Sequence, residues 1–253
     1  PSCLTVLQGL YPVASTKLPC LNVTFASTAA AATGVLASLR ARGKEHITVA
    51  AWAGDGGTAD IGLQALSGAA ERGDNVIFFC YDNEGYMNTG TQRSSATPLG
   101  AITTTTPLLT KEQHKKDMLK IMEAHDIAYI ATTSPAYPID LYDKFVKAKR
   151  IKGTRYLQIH VPCPPGWGYP PRDTVKIARL AVETGTHVLF EIENGKFHFT
   201  GRSKSLAEKG SRLPLINYTE RQDRFKKMNK EQLSSLQQHI DRKWHEYLKK
   251  AES

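Results

Sequence analysis

The 253-residue sequence predicts an α/β fold, doubly wound around a mainly parallel sheet with helices on both faces. Two observations carry that expectation. Short runs of branched and aromatic residues alternate with helical stretches along most of the chain. The runs ITVAAWAG (47–54) and NVIFFCYD (75–82) are almost continuously apolar, as in strands covered on both faces. A composition of 41% hydrophobic and 23% charged residues suits one large domain or two small ones.

In chain order, LNVTF (21–25) reads as a short strand before an Ala-rich helix. ITVAAWAG follows as a strand. Residues 59–72 read as a helix whose apolar face carries Ile61, Leu63, Ala65, Leu66 and Ala69. NVIFFCYD is the next strand. A polar, Thr- and Ser-rich loop then runs to about Thr110, a length that in a compact domain usually serves function. A helix near 111–125, the strand IAYIATTS, a helix near 138–150 and the strand YLQIHVPC resume the alternation. Beyond the turn PPGWGYPP come a helix from Asp173 to Glu183 and a hairpin turning at Asn194–Gly195. The chain closes on a surface helix. The expected division is a binding domain over 1–200 and a basic, helical, partner-binding extension over 201–253.

The chemistry concentrates where the strands of such a sheet end. Gly54, Asp55, Gly56 and Gly57 follow one strand, and Asn83 follows the next, 28 residues after Asp55. A carboxylate amid glycines would repel a phosphate unless a cation stood between them. Magnesium does this: it takes one or two protein oxygens and fills its shell with water and phosphate oxygens. The glycines let backbone N–H groups approach the same phosphates. Two other readings stay open. The string GDGGTA matches a loose dinucleotide fingerprint with Asp82 as its ribose acid, and the glycines could form a turn with no ligand.

The GDG…N pattern resembles the thiamine diphosphate motif, in which Asp55, Asn83 and the backbone carbonyl of Gly85 would hold the cation. The longer string YDNEGYMNTGTQRSSATPLGA resembles the β subunit of the 2-oxoacid:ferredoxin oxidoreductases, and TTSPAYPIDL and HVPCPPGWGYPP extend the likeness over about residues 45–180. The resemblance implies the thiamine diphosphate-binding fold, thiamine diphosphate and Mg2+ as cofactors, and oxidative decarboxylation of a 2-oxoacid. The default substrate is pyruvate, with oxalate or another 2-oxoacid open. Electrons would pass to [4Fe-4S] clusters and ferredoxin, and the acyl group to coenzyme A.

By the same resemblance Cys3 and Cys163 match the third and fourth cluster ligands. The pattern's glycine before the third cysteine is Ser2 here, and its Cys-x-x-Cys is absent from the sequence. The sequence opens on Pro1 in mid-pattern, so an upstream segment is expected. Asn88 matches a residue beside cofactor and substrate, whose amide could bond a developing oxyanion. The ordinary alternative is a turn asparagine. Thr89 and Gln92 could reach phosphates or satisfy the loop, and Val6 would line the substrate side. An α-type partner subunit would bring the glutamate that faces the cofactor's pyrimidine ring.

The net charge is +9, with an excess of six between Gly201 and Ser253. No aromatic-interleaved basic patch or zinc-finger spacing accompanies it, so a partner-binding tail is expected rather than a nucleic-acid interface. No apolar run reaches the roughly 18 residues of a membrane span. Cys3, Cys20, Cys80 and Cys163 are too scattered for a disulfide framework, which suggests a reducing, cytoplasmic setting. Cys20 and Cys80 read as inert core thiols, since small thiols pack well in strands. His114, His125 and His160 show no ligand spacing and read as structural. A non-redox thiamine-dependent decarboxylase or ligase, and a non-catalytic scaffold, are the alternative function classes.

Overall fold

Val49–Gly54 (β1) and Val76–Asp82 (β2) pair in parallel, Gly54 opposite Tyr81, so both strands end at one rim of the sheet. The computed structural model that shows this describes residues 16–252 and, ahead of them, Cys3 and Pro12. Tyr129–Thr133 (β3), Arg155–His160 (β4), Phe190–Glu193 (β5) and Lys196–Phe199 (β6) complete a six-stranded sheet in the order β1-β2-β4-β3-β5-β6. The first four strands are parallel, and the β5–β6 hairpin joins β3 antiparallel. Every residue of β2, β3 and β4 is buried, which explains the apolar run that opens β2. The fold class is the expected one.

Helices cover both faces. Thr28–Ala41 (α1), Leu63–Glu71 (α3) and Met118–Glu123 (α4) share one cluster with Ala51, Ala53, Phe78 and Ile130. On the other face, Pro138–Arg150 (α5) lays Leu141, Phe145 and Ala148 against Ile77, Phe79 and Leu157. The C-terminal helix Lys230–Glu252 (α10) buries Leu236, Ile240, Trp244 and Tyr247 along one side, at a period that keeps them on a single stripe. Its outer side makes ion pairs such as Lys120–Glu246 and Lys243–Asp117. Exposed pairs of that kind contribute up to about 1 kcal/mol each, whereas full burial of a large apolar side chain contributes about 2–3 kcal/mol. Burial therefore fixes the helix. Among the described residues no helix is long and apolar enough to cross a membrane.

Several expected boundaries move, each for a tertiary reason. Residues 21–25 form no strand; Phe25 instead packs its ring against Tyr86 at 5.6 Å. The helix expected over 59–72 splits into Asp55–Ala59 (α2) and α3. Asp60 sits at the break, its carboxylate accepting from the Tyr86 hydroxyl at 2.8 Å and from the Ser95 N–H at 3.2 Å. Ile61 consequently points outward, 59% exposed. The helix expected over 111–125 is only α4, because Asp117 caps it by accepting from the Lys120 N–H at 3.1 Å. Residues before that cap are drawn into the long loop, where buried Lys111 donates to the carbonyls of Ser95 and Thr97. The hairpin turn is as expected, with φ of 49° at Asn194 and 76° at Gly195.

Over the carboxyl rim lies a third apolar cluster. It joins the loop after β2 (Leu99, Ala101) to Trp167 of the short helix Pro164–Trp167 (α6) and Ile177 of Thr174–Glu183 (α7). Tyr218 of Ile216–Thr219 (α9) and Phe225 complete its wall. Gly201–Lys209 (α8) packs Leu206 into the main core beside the hairpin. Residues beyond 200 thus carry charge outward and apolar surface inward.

His160, at the end of β4, is 1% exposed, neither ring nitrogen has a hydrogen-bond partner, and the ring stacks on His187 at 4.9 Å. Burial pushes its pKa down to about 4, and burial likewise drives His187 well below the imidazole range. Below about pH 6.5 the unfolded chain takes up a proton that folded His160 refuses, so stability falls as pH drops from about 6.5 through about 4. His160 alone should account for about 3 kcal/mol of that loss. Urea unfolding at several pH values should show a shallower decline in His160→Gln than in the wild type; parallel profiles would show that His160 binds its proton equally well in the folded and unfolded chain.

Candidate functional site

Three oxygen-bearing groups from two strand ends meet at the sheet rim. Asp55 opens α2 directly after β1 and is 1% exposed; Asn83, one residue past β2, is 8% exposed. The Asn83 side-chain amide places one heavy atom 2.9 Å from Asp55 Oδ1 and 3.0 Å from the Gly85 carbonyl oxygen. As nitrogen, that atom donates to both acceptors; as oxygen, it joins them around a common point. Adjacent ligands of an octahedral magnesium with bonds of about 2.1 Å lie about 3.0 Å apart, the spacing at which the Asn83 atom stands from each of its two neighbours.

The charge around them favours the same conclusion. Burial, reinforced by Asp82, pushes the Asp55 carboxyl well above its ordinary range. Its strongest partner is the Ser94 hydroxyl, which donates to Oδ2 at 2.5 Å, and among the described residues no lysine or arginine forms an ion pair with it. The neighbouring carboxylates are provided for. Lys115 reaches Asp82 at 2.5 Å and Glu84 at 2.9 Å, and Arg224 reaches Glu84 at 2.7 Å. Burial opposes ionisation of Glu84, yet Lys115 and Arg224 outweigh it and hold its carboxyl far below the usual range. Burial also raises Asp82, against the pull of Lys115. Three acids face two bases, and Asp55 is the one left without a basic partner. A hard cation suits that position.

The glycines have separate jobs. A Cβ on Gly56 would lie 2.3 Å from the Tyr86 ring, so only glycine lets the loop after β2 close over α2. Gly54 caps α2 in an extended conformation, and Thr58 donates back to the Gly54 carbonyl at 2.8 Å. Gly57 is buried in the same turn. The first N–H groups of α2 have no helical partners and are available to an anion.

Of the residues singled out by sequence, Gly54, Asp55, Gly56, Gly57, Asn83 and Gly85 converge here. Asn88 and Thr89 stand apart on the exposed tip of the loop, and Thr89 donates to Gln92 Oε1 at 2.7 Å. Val6 lies outside the described residues. Cys163, at the start of α6, is half-buried; burial raises its pKa and the nearby Cys3 thiol adds to that effect. Cys3 is thus close enough for its charge to act on Cys163. Cys80 is buried in the core as expected, with burial raising its thiol far above its ordinary range, whereas Cys20 is not a core thiol: it lies outside any strand and is exposed. Among the described residues no three His, Cys, Asp or Glu side chains gather as a metal site, since the cation corner uses an amide and a carbonyl.

Sequence reasoning assigned no role to Ser94, Glu84, Lys115, Trp167 or Arg224. Ser94 and Glu84 lie inside the motif string, so proximity was a usable signal. Arg224 carried none: it is one basic residue in a basic region.

Comparison with known proteins agrees with this geometry. Residues 9–159 match the family model for the thiamine pyrophosphate enzyme, C-terminal TPP binding domain. The chain is 48% identical to the pyruvate synthase subunit PorB of Methanothermobacter marburgensis, over 94% of this chain and 82% of that one. It is 44% identical to the ketoisovalerate oxidoreductase subunit VorB of Pyrococcus horikoshii, over 99% and 82% respectively. Among solved structures it resembles the 2-oxoglutarate:ferredoxin oxidoreductase from Magnetococcus marinus, solved with 2-oxoglutarate, coenzyme A and succinyl-CoA bound. That match has a TM-score of 0.50 and 26% identity, and it covers 55% of this chain and 46% of that one. The chain therefore belongs to the thiamine pyrophosphate-binding enzymes and is a β subunit of the 2-oxoacid:ferredoxin oxidoreductase family.

Proposed function

We propose that this chain holds the diphosphate end of thiamine diphosphate through Mg2+, as one subunit of a complex that oxidatively decarboxylates a 2-oxoacid, pyruvate first among the candidates. The observation that carries the reading is the meeting of the Asn83 amide with the Asp55 carboxyl at 2.9 Å and the Gly85 carbonyl at 3.0 Å, at a buried acid whose ionisation no basic side chain supports by an ion pair among the described residues. When bound, the cofactor supplies the electron sink that lets a 2-oxoacid lose carbon dioxide.

The chain's own residues bind and orient. Asp55, Asn83 and the Gly85 carbonyl hold the cation, and the N–H groups at the start of α2 receive the diphosphate oxygens. Ser94 fixes the free Asp55 oxygen, which leaves the other aimed at the metal. Tyr86, hydrogen-bonded to Asp60, closes over Gly56 and shields the corner from water. Asn88 and Thr89, exposed on this chain, are placed to meet substrate or partner at an interface.

Cys3 and Cys163 would supply two thiolates to a [4Fe-4S] cluster that relays electrons to ferredoxin, with coenzyme A accepting the acyl group. Their proximity supports this reading. An α-type subunit would bring the glutamate at the pyrimidine end, so that the active site forms between chains. The basic 201–253 region is offered as part of that contact, in a cytoplasmic complex.

In the assembled complex, Asp55→Ala should abolish cofactor binding measured by titration with thiamine diphosphate and magnesium. Asn83→Ala should weaken it less, because water can replace one neutral ligand. Wild-type affinity in Asp55→Ala would sink the assignment. Separately, Cys163→Ser should lower iron content and ferredoxin reduction while cofactor affinity holds, since a serine oxygen is a poor substitute for thiolate. Unchanged iron would reduce the CPPGW segment to a turn.

A further inference from the structure

Trp167 lies between the two ends of the proposed site and touches both. Its indole Nε1 donates to the Asn83 carbonyl oxygen at 2.8 Å, and the side chain is fully buried. Its own N–H donates to the Cys163 carbonyl at 2.9 Å, closing the one-turn helix that begins at that cysteine. One indole thus links the peptide of a cation ligand to the turn bearing Cys163.

The indole is itself held. The Arg224 guanidinium lies 3.6 Å from its ring centroid, and each guanidinium nitrogen has a fixed partner. Nε donates to Gln222 Oε1 at 2.8 Å, one terminal nitrogen to the Tyr218 hydroxyl at 3.0 Å, and the other meets Glu84 Oε2 at 2.7 Å. Only a planar fork can stack on a ring and make those three contacts together; an ammonium cannot. Glu84 stands between Asn83 and Gly85 with φ of 64°, a left-handed conformation that a glutamate holds only when its surroundings impose it. The residues on either side of it are the two whose side chain and carbonyl meet in the corner. Arg224 therefore grips the cation loop twice, through Glu84 and through Trp167.

We propose that Trp167, clamped by Arg224, is a positioning residue for the reaction, setting cation affinity at Asp55–Asn83–Gly85 and coupling occupancy of that corner to the surroundings of Cys163. The proposal rests on the functional reading above for what occupies the two ends. Trp167→Phe keeps the aromatic ring but removes the one donor to the Asn83 carbonyl. Loss of such a buried hydrogen bond predicts about a tenfold rise in the magnesium concentration needed for half-saturation. Coupling is reciprocal, so the cation also acts on the cysteine turn.

The test uses the assembled complex at saturating thiamine diphosphate, with magnesium titrated by calorimetry and the cluster followed by electron paramagnetic resonance. In Trp167→Phe and Arg224→Gln, half-saturation should rise about tenfold, and Arg224→Lys should not restore it. Ile192→Val, a core truncation in β5, should titrate like the wild type. The wild-type cluster spectrum should change when magnesium is added, and the Trp167→Phe spectrum should not. Wild-type magnesium affinity in Trp167→Phe, an equal loss in Ile192→Val, or a spectral response unchanged by the substitution would each overturn the proposal. A wild-type complex that takes up no magnesium would instead overturn the functional reading beneath it.

Discussion

A buried carboxylate without a basic partner is the constraint on which this structure turns. Asp55 is 1% exposed at the start of a helix, where its charge faces Asp82 and is relieved chiefly by one hydroxyl. Isolated charges in such surroundings are costly unless paired with another charge or a metal. The remaining charges at the rim are arranged so that the deficit falls there: Lys115 and Arg224 pair with Asp82 and Glu84 and leave Asp55 without a basic partner. Once a cation bridges Asp55 and a diphosphate, the glycine-rich turn around an acid follows from ordinary electrostatics.

The parts that build the corner come from distant points in the chain. β1 delivers Asp55 and β2 delivers Asn83, because parallel neighbours end at the same rim. The loop after β2 folds back to bring Ser94 to Asp55, Tyr86 over Gly56 and Lys115 between two acids. Arg224 arrives from the C-terminal region, through a segment whose Asp223 N–H donates to the Gly168 carbonyl and whose Arg224 carbonyl accepts from Ile102. The C-terminal region is thus part of the site's support as well as of the core. A partly open pocket of about 110 Å³, lined in part by Lys115, Gln158, His187 and Thr132, belongs to this same polar neighbourhood.

What could be read in the sequence was what depends on local pattern. The parallel strands, α5, α7 and the Asn194–Gly195 hairpin follow from periodicity and turn chemistry, and the structure forms them where expected. The meeting of Asp55 and Asn83 at the rim was legible because residue type, spacing and strand ends coincide there. Its support was not. The split between α2 and α3 comes from Tyr86 and Ser95 bonding to Asp60, and the shortening of α4 from the preceding residues being drawn into the loop; neither is encoded near the segment it alters. Arg224 was read as one charge among many, because its partners Glu84, Tyr218 and Trp167 meet only in the folded chain. Asn88 and Thr89 come from the resemblance, and on this chain alone they stand exposed beside no other group of the corner.

The central claim is that Asp55, Asn83 and Gly85 surround one divalent cation that also holds a diphosphate. Anomalous diffraction from crystals of the complex grown with manganese in place of magnesium, and with thiamine diphosphate, tests it most directly. The account predicts a single strong anomalous peak within bonding distance of Asp55 Oδ1, Asn83 Oδ1 and the Gly85 carbonyl oxygen, with phosphate oxygens completing its shell. A cofactor bound with its diphosphate elsewhere, or a peak that leaves Asp55 uncoordinated, would contradict it.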